Sequence, residues 1–164
     1  MARYKMRQKM ISFGDDFTIE DENGNPAYEV DGKVMRIRET FELKDRQGNV
    51  VAMIRGKLIS IRSKMEILRN DDVVATVTKA LFAPFRDKFK VDVAGGGDMD
   101  IDGSILDHEY TITRGDKTVA MVSKRWFTFT DTYGIEVASG EDDALVLAIA
   151  VALDEMAHDK DDEK

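Results

Sequence analysis

Asp98, Asp100 and Asp102, followed by Gly103 and then Glu109, have the residue types and spacing of an EF-hand calcium loop, with apolar Ile105 at its eighth position. Such a loop aims its carboxylates at one ion because helices flank it. Here Gly95, Gly96 and Gly97 precede the match, and the alternating run Tyr110 to Thr113 follows it. A strand over 98–102 would turn Met99 and Ile101 inward and leave the three carboxylates in steps of about 7 Å along one face, where they do not converge. The expected role is structural, with no metal bound.

Two basic ridges offer a different chemistry. Arg3, Lys5, Arg7 and Lys9 alternate with Tyr4, Met6, Gln8 and Met10, and Arg86, Lys88 and Lys90 alternate with Asp87, Phe89 and Val91. On strands each set shares one face, and a row of near-surface cations suits an anionic head group or membrane surface, each contributing about 1 kcal/mol there. The competing reading is that outward lysines on strands keep a sheet soluble. Neither ridge carries interleaved stacking aromatics, so nucleic acid is not expected.

Catalytic constellations are absent from the sequence pattern. His108 and His158 are the two histidines, expected as a surface turn residue and a helix-end residue, and their spacing from serines suggests no triad. Gly95-Gly-Gly97 lacks the Gly-Lys-Ser/Thr of a phosphate loop. There is no cysteine, which removes disulfides and thiol chemistry. The expectation is no enzyme and no cofactor.

The elements that must carry these residues are legible in two patterns. Ala144 to Leu153 is apolar without interruption and alanine-rich, the signature of a helix buried on all sides. Ser139 and Asp142 suggest a capping box, and Glu141, Asp142 and Asp143 place negative charge at the helix N-terminus. At about 1.5 Å per residue the run spans roughly 15 Å, half of a bilayer core.

The second pattern is a hairpin repeat. Phe17 to Val30 and Phe41 to Ile54 superpose at a spacing of 24, with Gly24 matching Gly48, and Met65 to Val77 and Tyr110 to Val122 repeat the design loosely. Further strands are expected over Tyr4 to Ile11, Phe85 to Val93, Asp98 to Asp102, Trp126 to Thr130 and Tyr133 to Val137. About a dozen strands left open would expose aggregation-prone edges, so closure around the apolar helix is expected. Trp126, Phe127, Phe129 and Tyr133 form the densest aromatic cluster and are expected in the core, with Lys124 and Arg125 marking a strand end.

A chain of 164 residues with 43% hydrophobic residues fits one domain, expected over 1–158, with 159–164 an acidic disordered tail. Nine acidic and two basic residues lie from 141 to 164, so all but one of the net −8 charges belong to that end. The basic N-terminus lacks an apolar signal region, and the expected location is cytoplasmic, peripheral at a membrane if the ridges bind one.

Gln8 to Ile19, Tyr28-Glu-Val-Asp-Gly32, Leu43-Lys-Asp-Arg-Gln-Gly48, Ser123-Lys-Arg-Trp126, Asp131-Thr-Tyr-Gly134 and Asp142 to Asp154 together resemble the LURP-one-related family, in its small prokaryotic branch. The resemblance covers about Tyr4 to Asp154. It implies the tubby C-terminal-like fold, a twelve-stranded barrel around a C-terminal helix, shared with tubby proteins and phospholipid scramblases. Tubby relatives bind phosphoinositide head groups and scramblases act at membranes, yet no tubby ligand motif maps onto this chain. The expectations are therefore a mainly β (α+β) closed antiparallel barrel and a non-catalytic binding module. Its partner would be an anionic phospholipid or membrane surface through Arg3, Lys5, Arg7, Lys9, Arg86, Lys88 and Lys90, or alternatively a protein.

Overall fold

The computed structural model describes residues 2–7, 17–32, 40–56, 64–80, 87–126 and 132–161, without the side chains of residues 7, 17, 87 and 158–161. Twelve strands precede one helix: β1 Ala2–Arg7, β2 Phe17–Asp21, β3 Pro26–Gly32, β4 Thr40–Lys44, β5 Val50–Gly56, β6 Lys64–Arg69, β7 Asp72–Lys79, β8 Asp87–Val93, β9 Met99–Ser104, β10 Glu109–Arg114, β11 Lys117–Ser123, β12 Thr132–Val137 and α1 Asp143–Asp161. Each strand pairs antiparallel with its chain neighbours. β1 closes the ring by pairing with both β2 and β12. Among the described residues every strand therefore has a paired strand on each side.

The expected hairpin repeat is a real structural repeat. In the first two copies Asp21 and Asp45 accept hydrogen bonds through Oδ1 from the backbone amides two and four residues on, those of Asn23 and Asn25 and of Gln47 and Asn49. Gly24 and Gly48 both take φ +84°, a region that a side chain disfavours. All four hairpins carry a register shift next to the turn, at Ile19/Glu20, Leu43/Lys44, Ile67/Leu68 and Ile112/Thr113. Such bulges increase local twist, which helps a sheet curl into a barrel.

Alternation along the strands supplies the lining. Met6, Ile19, Val30, Leu43, Ile54, Ile67, Val77, Val91, Ile101, Ile112 and Ile135 are buried inside the ring. The helix fills the space that they enclose. Val146 to Leu153 are at most 1% exposed, so no side of this segment meets solvent. Burying one Leu, Ile or Val contributes about 1.5–3 kcal/mol, and eight consecutive buried positions make α1 the centre of the core.

The helix ends differ from the expectation in two respects. Asp142 itself is the cap: its Oδ1 accepts the Leu145 amide at 3.2 Å and its backbone oxygen accepts that of Val146 at 3.0 Å. Ser139 lies in the turn three residues before that cap. At the other end α1 continues through Asp161, so His158 and Asp159 to Asp161 are helical.

The acidic start of α1 is tied to the barrel wall. Arg69 on β6 holds both Asp142 carboxylate oxygens at 2.5 and 2.8 Å, and its Nε donates to the Val51 carbonyl on β5. Arg114 and Lys117 reach Glu141 at 3.0 and 3.4 Å, and the Tyr4 hydroxyl donates to Asp143. The charges expected to favour the helix dipole therefore also fasten the helix to β1, β6, β10 and β11.

Candidate functional site: the outer wall and a buried polar cluster

The two members of the first basic ridge whose side chains are described, Arg3 and Lys5, both form intramolecular ion pairs. Arg3 contacts Glu136 at 2.6 Å from β12 and lies over the Trp126 ring, 4.8 Å from its centroid, while Lys5 contacts Glu20 at 3.0 Å from β2. Glu136 and Glu20 come from β12 and β2, the two strands that flank β1. The Arg7 side chain and all of Lys9 lie outside the described residues.

Lys88 and Lys90 on β8 are exposed, as the ridge reading requires. Antiparallel register sets Lys88 opposite Asp102 and Lys90 opposite Asp100 on β9. Opposite charges at directly paired positions attract, so the two columns offset one another across the sheet surface. Arg86 lies outside the described residues. The structure thus brings Arg3 and Lys5 together on β1 and Lys88 and Lys90 together on β8, each beside carboxylates.

The strand reading of the EF-hand match holds. Met99 and Ile101 are buried and Asp100 and Asp102 are exposed on β9. Asp98 accepts the Val93 amide at 2.8 Å, and Glu109 accepts from the Ser123 hydroxyl and the Lys124 amide, so the four carboxylates serve separate elements. Gly103 has a packing reason of its own: a Cβ there would sit 2.4 Å from the Glu109 carbonyl oxygen. Among the described residues no group of three or more His, Asp or Glu is arranged to hold a metal.

Of the aromatic cluster, Tyr133 is fully buried, and Trp126 is half-buried beside Arg3. Phe127 and Phe129 lie outside the described residues. The strand expected from Trp126 is not seen at that residue, which belongs to a turn after β11.

His108 departs from its expected place. It is 1% exposed rather than a surface residue, and it takes φ +53° in the tight turn between β9 and β10, which drives its ring inward. Its Nε2 lies 3.0 Å from Asp154 Oδ1, and its ring stacks on Tyr133 at 3.9 Å between centroids. Tyr133 donates its hydroxyl to the other Asp154 oxygen. As a carboxylate Asp154 accepts from both, which puts the imidazole proton on Nε2. His108 Nδ1 and the Tyr110 hydroxyl are buried without a hydrogen-bond partner. Burial and the nearby Asp154 charge push the Tyr133 and Tyr110 phenols well above their ordinary range.

This Tyr–Asp–His group has the components of a proton relay but stands inside the core. Asp154 is 2% exposed, as sealed as the apolar residues before it. A substrate atom needs direct approach or one bridging water to exchange a proton with such a group. The arrangement anchors the far half of α1 to β12 and to the β9–β10 turn.

Among the described residues, depressions lie on the outer wall at the end where α1 begins. An open groove of about 570 Å³ runs along Val50, Val51, Met53, Leu68, Arg69 and Asp71. Val50 at its margin is 48% exposed. A shallower hollow of about 290 Å³ lies between Tyr4, Tyr28, Asp21, Asp45 and Arg46. Hydrogen bonds from the Asn25 and Asn23 amides, together with Arg46, hold the Asp21 carboxyl below its ordinary range.

Known proteins resemble this chain over nearly all of its length. The LURP-one-related family model matches residues 2–154. The uncharacterized protein YxjI of Bacillus subtilis (strain 168) is 32% identical over 163 residues, covering 99% of this chain and 98% of the relative. Among solved structures, the X-ray structure of an Arabidopsis thaliana protein aligns with a TM-score of 0.71 at 20% identity, over 95% of this chain and 91% of that one. At that identity the likeness establishes the shared fold.

Proposed function

We propose that this chain, which belongs to the LURP-one-related family, is a non-catalytic binding module that engages a protein partner on the outside of its barrel. One observation carries the reading: the lumen, where barrels of this size hold ligands, is filled by Val146 to Leu153. Recognition then falls to the outer wall. The groove beside Val50 supports a protein partner, because it pairs exposed aliphatic surface with an Arg69 already matched to Asp142. The sealed position of His108, Asp154 and Tyr133 supports a non-catalytic role.

An anionic head group or membrane surface is the second reading, favoured by the exposure of Lys88 and Lys90. It has less support than a protein partner because Asp100 and Asp102 stand opposite those lysines and Glu136 and Glu20 hold Arg3 and Lys5.

Because the chain has no cysteine, Val50→Cys creates a unique handle for a photo-crosslinker. The reading expects a discrete crosslinked species in cells from Val50→Cys and none from Thr118→Cys, an exposed position on β11. Flotation with phosphatidylserine vesicles separates the alternatives. Salt-sensitive binding that is lost in the Lys88→Gln/Lys90→Gln variant, with no crosslinked species from Val50→Cys, would replace the protein reading with the membrane one.

A further inference from the structure

We infer that Asn23 is a self-modification site: its side-chain amide cyclises onto the Gly24 backbone nitrogen and converts the first hairpin turn to aspartate and isoaspartate. In this reaction the Gly24 amide nitrogen gives up its proton and bonds to Asn23 Cγ. The Cγ–N bond of the side chain breaks and ammonia leaves. The resulting five-membered succinimide then takes up one water, and opening at one carbonyl gives aspartate while opening at the other gives isoaspartate. No oxidant, reductant or cofactor enters. Water is the one co-reactant, and holding nucleophile and carbonyl in one short ring supplies the proximity that makes such a step feasible.

Four features of the turn support the assignment. Asn23 and Gly24 are both exposed, at the tip of a hairpin where chain opening is least costly. Apart from its chain neighbours, nothing stands within 4 Å of the position that a Cβ on Gly24 would take, so the tip of the turn is open. Asn23 is also the one asparagine followed by glycine: Asn25 precedes Pro26, which has no N–H to lose, Asn49 precedes branched Val50, and Asn70 precedes Asp71. The fourth feature is the second hairpin, which repeats the turn with glutamine in place of asparagine.

That repeat is a control built into the chain. Gln47-Gly48 occupies the position of Asn23-Gly24, with Gly48 at the same φ of +84°. The Gly24 and Gly48 amides each donate to the backbone oxygen of the turn's aspartate at 3.0 Å. This bond must open before either nitrogen can attack, and it restrains both turns alike. At the reacting side chain the difference is one methylene, which would force glutamine through a less accessible six-membered ring. Reaction at Asn23 adds a carboxylate beside Asp21 and Glu22. An isoaspartyl linkage also lengthens the backbone between the two amides that Asp21 Oδ1 now accepts.

The test is prolonged incubation of the folded full-length chain at mildly alkaline pH, followed by peptide mass spectrometry and methyl transfer by a protein-isoaspartate methyltransferase. The expected result is progressive loss of Asn23, one ammonia released per converted chain, methylation confined to the peptide containing residue 23, and an unchanged Gln47 peptide. Asn23→Gln should abolish both signals while leaving the circular dichroism spectrum intact. The same chain unfolded in urea supplies the reference rate. Conversion of Asn23 in urea with none in the folded chain would overturn the inference, as would equal conversion at Asn23 and Gln47.

Discussion

Asp154 accepts the Tyr133 hydroxyl inside a closed barrel, at the end of a helix segment that is otherwise wholly apolar. The bond fixes α1 against β12 at one depth and one rotation, which apolar packing alone specifies less sharply. His108 on the second Asp154 oxygen extends the same constraint to the β9–β10 turn.

Removing one member of this group leaves buried polar atoms without partners. Asp154→Ala should destabilise the fold by about 3–5 kcal/mol, as measured by urea unfolding, because the Tyr133 hydroxyl and the His108 N–H lose their acceptor together. Tyr133→Phe should cost less, on the order of 1–3 kcal/mol, and the double variant should be clearly less destabilised than the two single effects combined. Additive losses would show that the three side chains do not act as a unit.

The apolar half of α1 gives a larger effect. Leu147→Ala should cost about 2–5 kcal/mol through the cavity that it leaves. Leu147→Asp and Ile149→Asp bury an unpaired carboxylate among residues at 0% exposure and should prevent folding, read as loss of the β-sheet circular dichroism signal. A folded Leu147→Asp chain would contradict the placement of the helix.

Arg69 and Asp142 join the cap of α1 to the wall between β5 and β6. The Arg69 hydrogen bonds hold the Asp142 carboxyl below its ordinary range, helped by the Leu145 amide. The stability that this contributes is present above the unfolded carboxylate value of about 3.9 and is lost as pH falls through the lower folded value. Asp142→Ala should cost about 1 kcal/mol, most of it from the lost cap, since the ion pair is partly solvated. Thermal melts of wild type and Asp142→Ala should converge as pH drops below 4.

Tyrosines set the alkaline limit. Burial and the Asp154 charge raise the Tyr133 and Tyr110 phenols, and burial with the Asp143 hydrogen bond raises Tyr4. A phenol raised by folding leaves stability unchanged below the unfolded value of about 10, and stability falls as pH rises from there toward the folded value. Unfolding should therefore set in steeply above about pH 10, with the phenolate absorbance appearing in step with loss of structure. Phenolate absorbance appearing well before unfolding would show that these rings are open to solvent.

Much of the fold is legible in the residue pattern, for a definable reason. Period-two alternation survives in nearly every strand because one face lines a core and the other meets water, and Ala144 to Leu153 cannot be accommodated anywhere but inside. The site is less legible because its partners are distant in sequence. Arg3 and Glu136 are 133 residues apart and meet only when the ring closes, so the β1 ridge looks uncompensated along the chain. Lys88 and Asp102 meet through a register that no local pattern encodes. His108 and Asp154 are 46 residues apart, and Asp154 reads as the polar end of the apolar run. The available signal was Met156 and Ala157 beyond it, which continue the buried surface past the charge.

The filled lumen is the claim on which external recognition depends, and amide hydrogen exchange followed by NMR tests it most directly. Amides of Val146 to Leu153 should be the slowest in the molecule, with a protection free energy equal to that of global unfolding in denaturant. Exchange of those amides well ahead of the strand amides, in a chain whose barrel stays folded, would mean that the helix leaves the lumen and that the interior is open to a ligand.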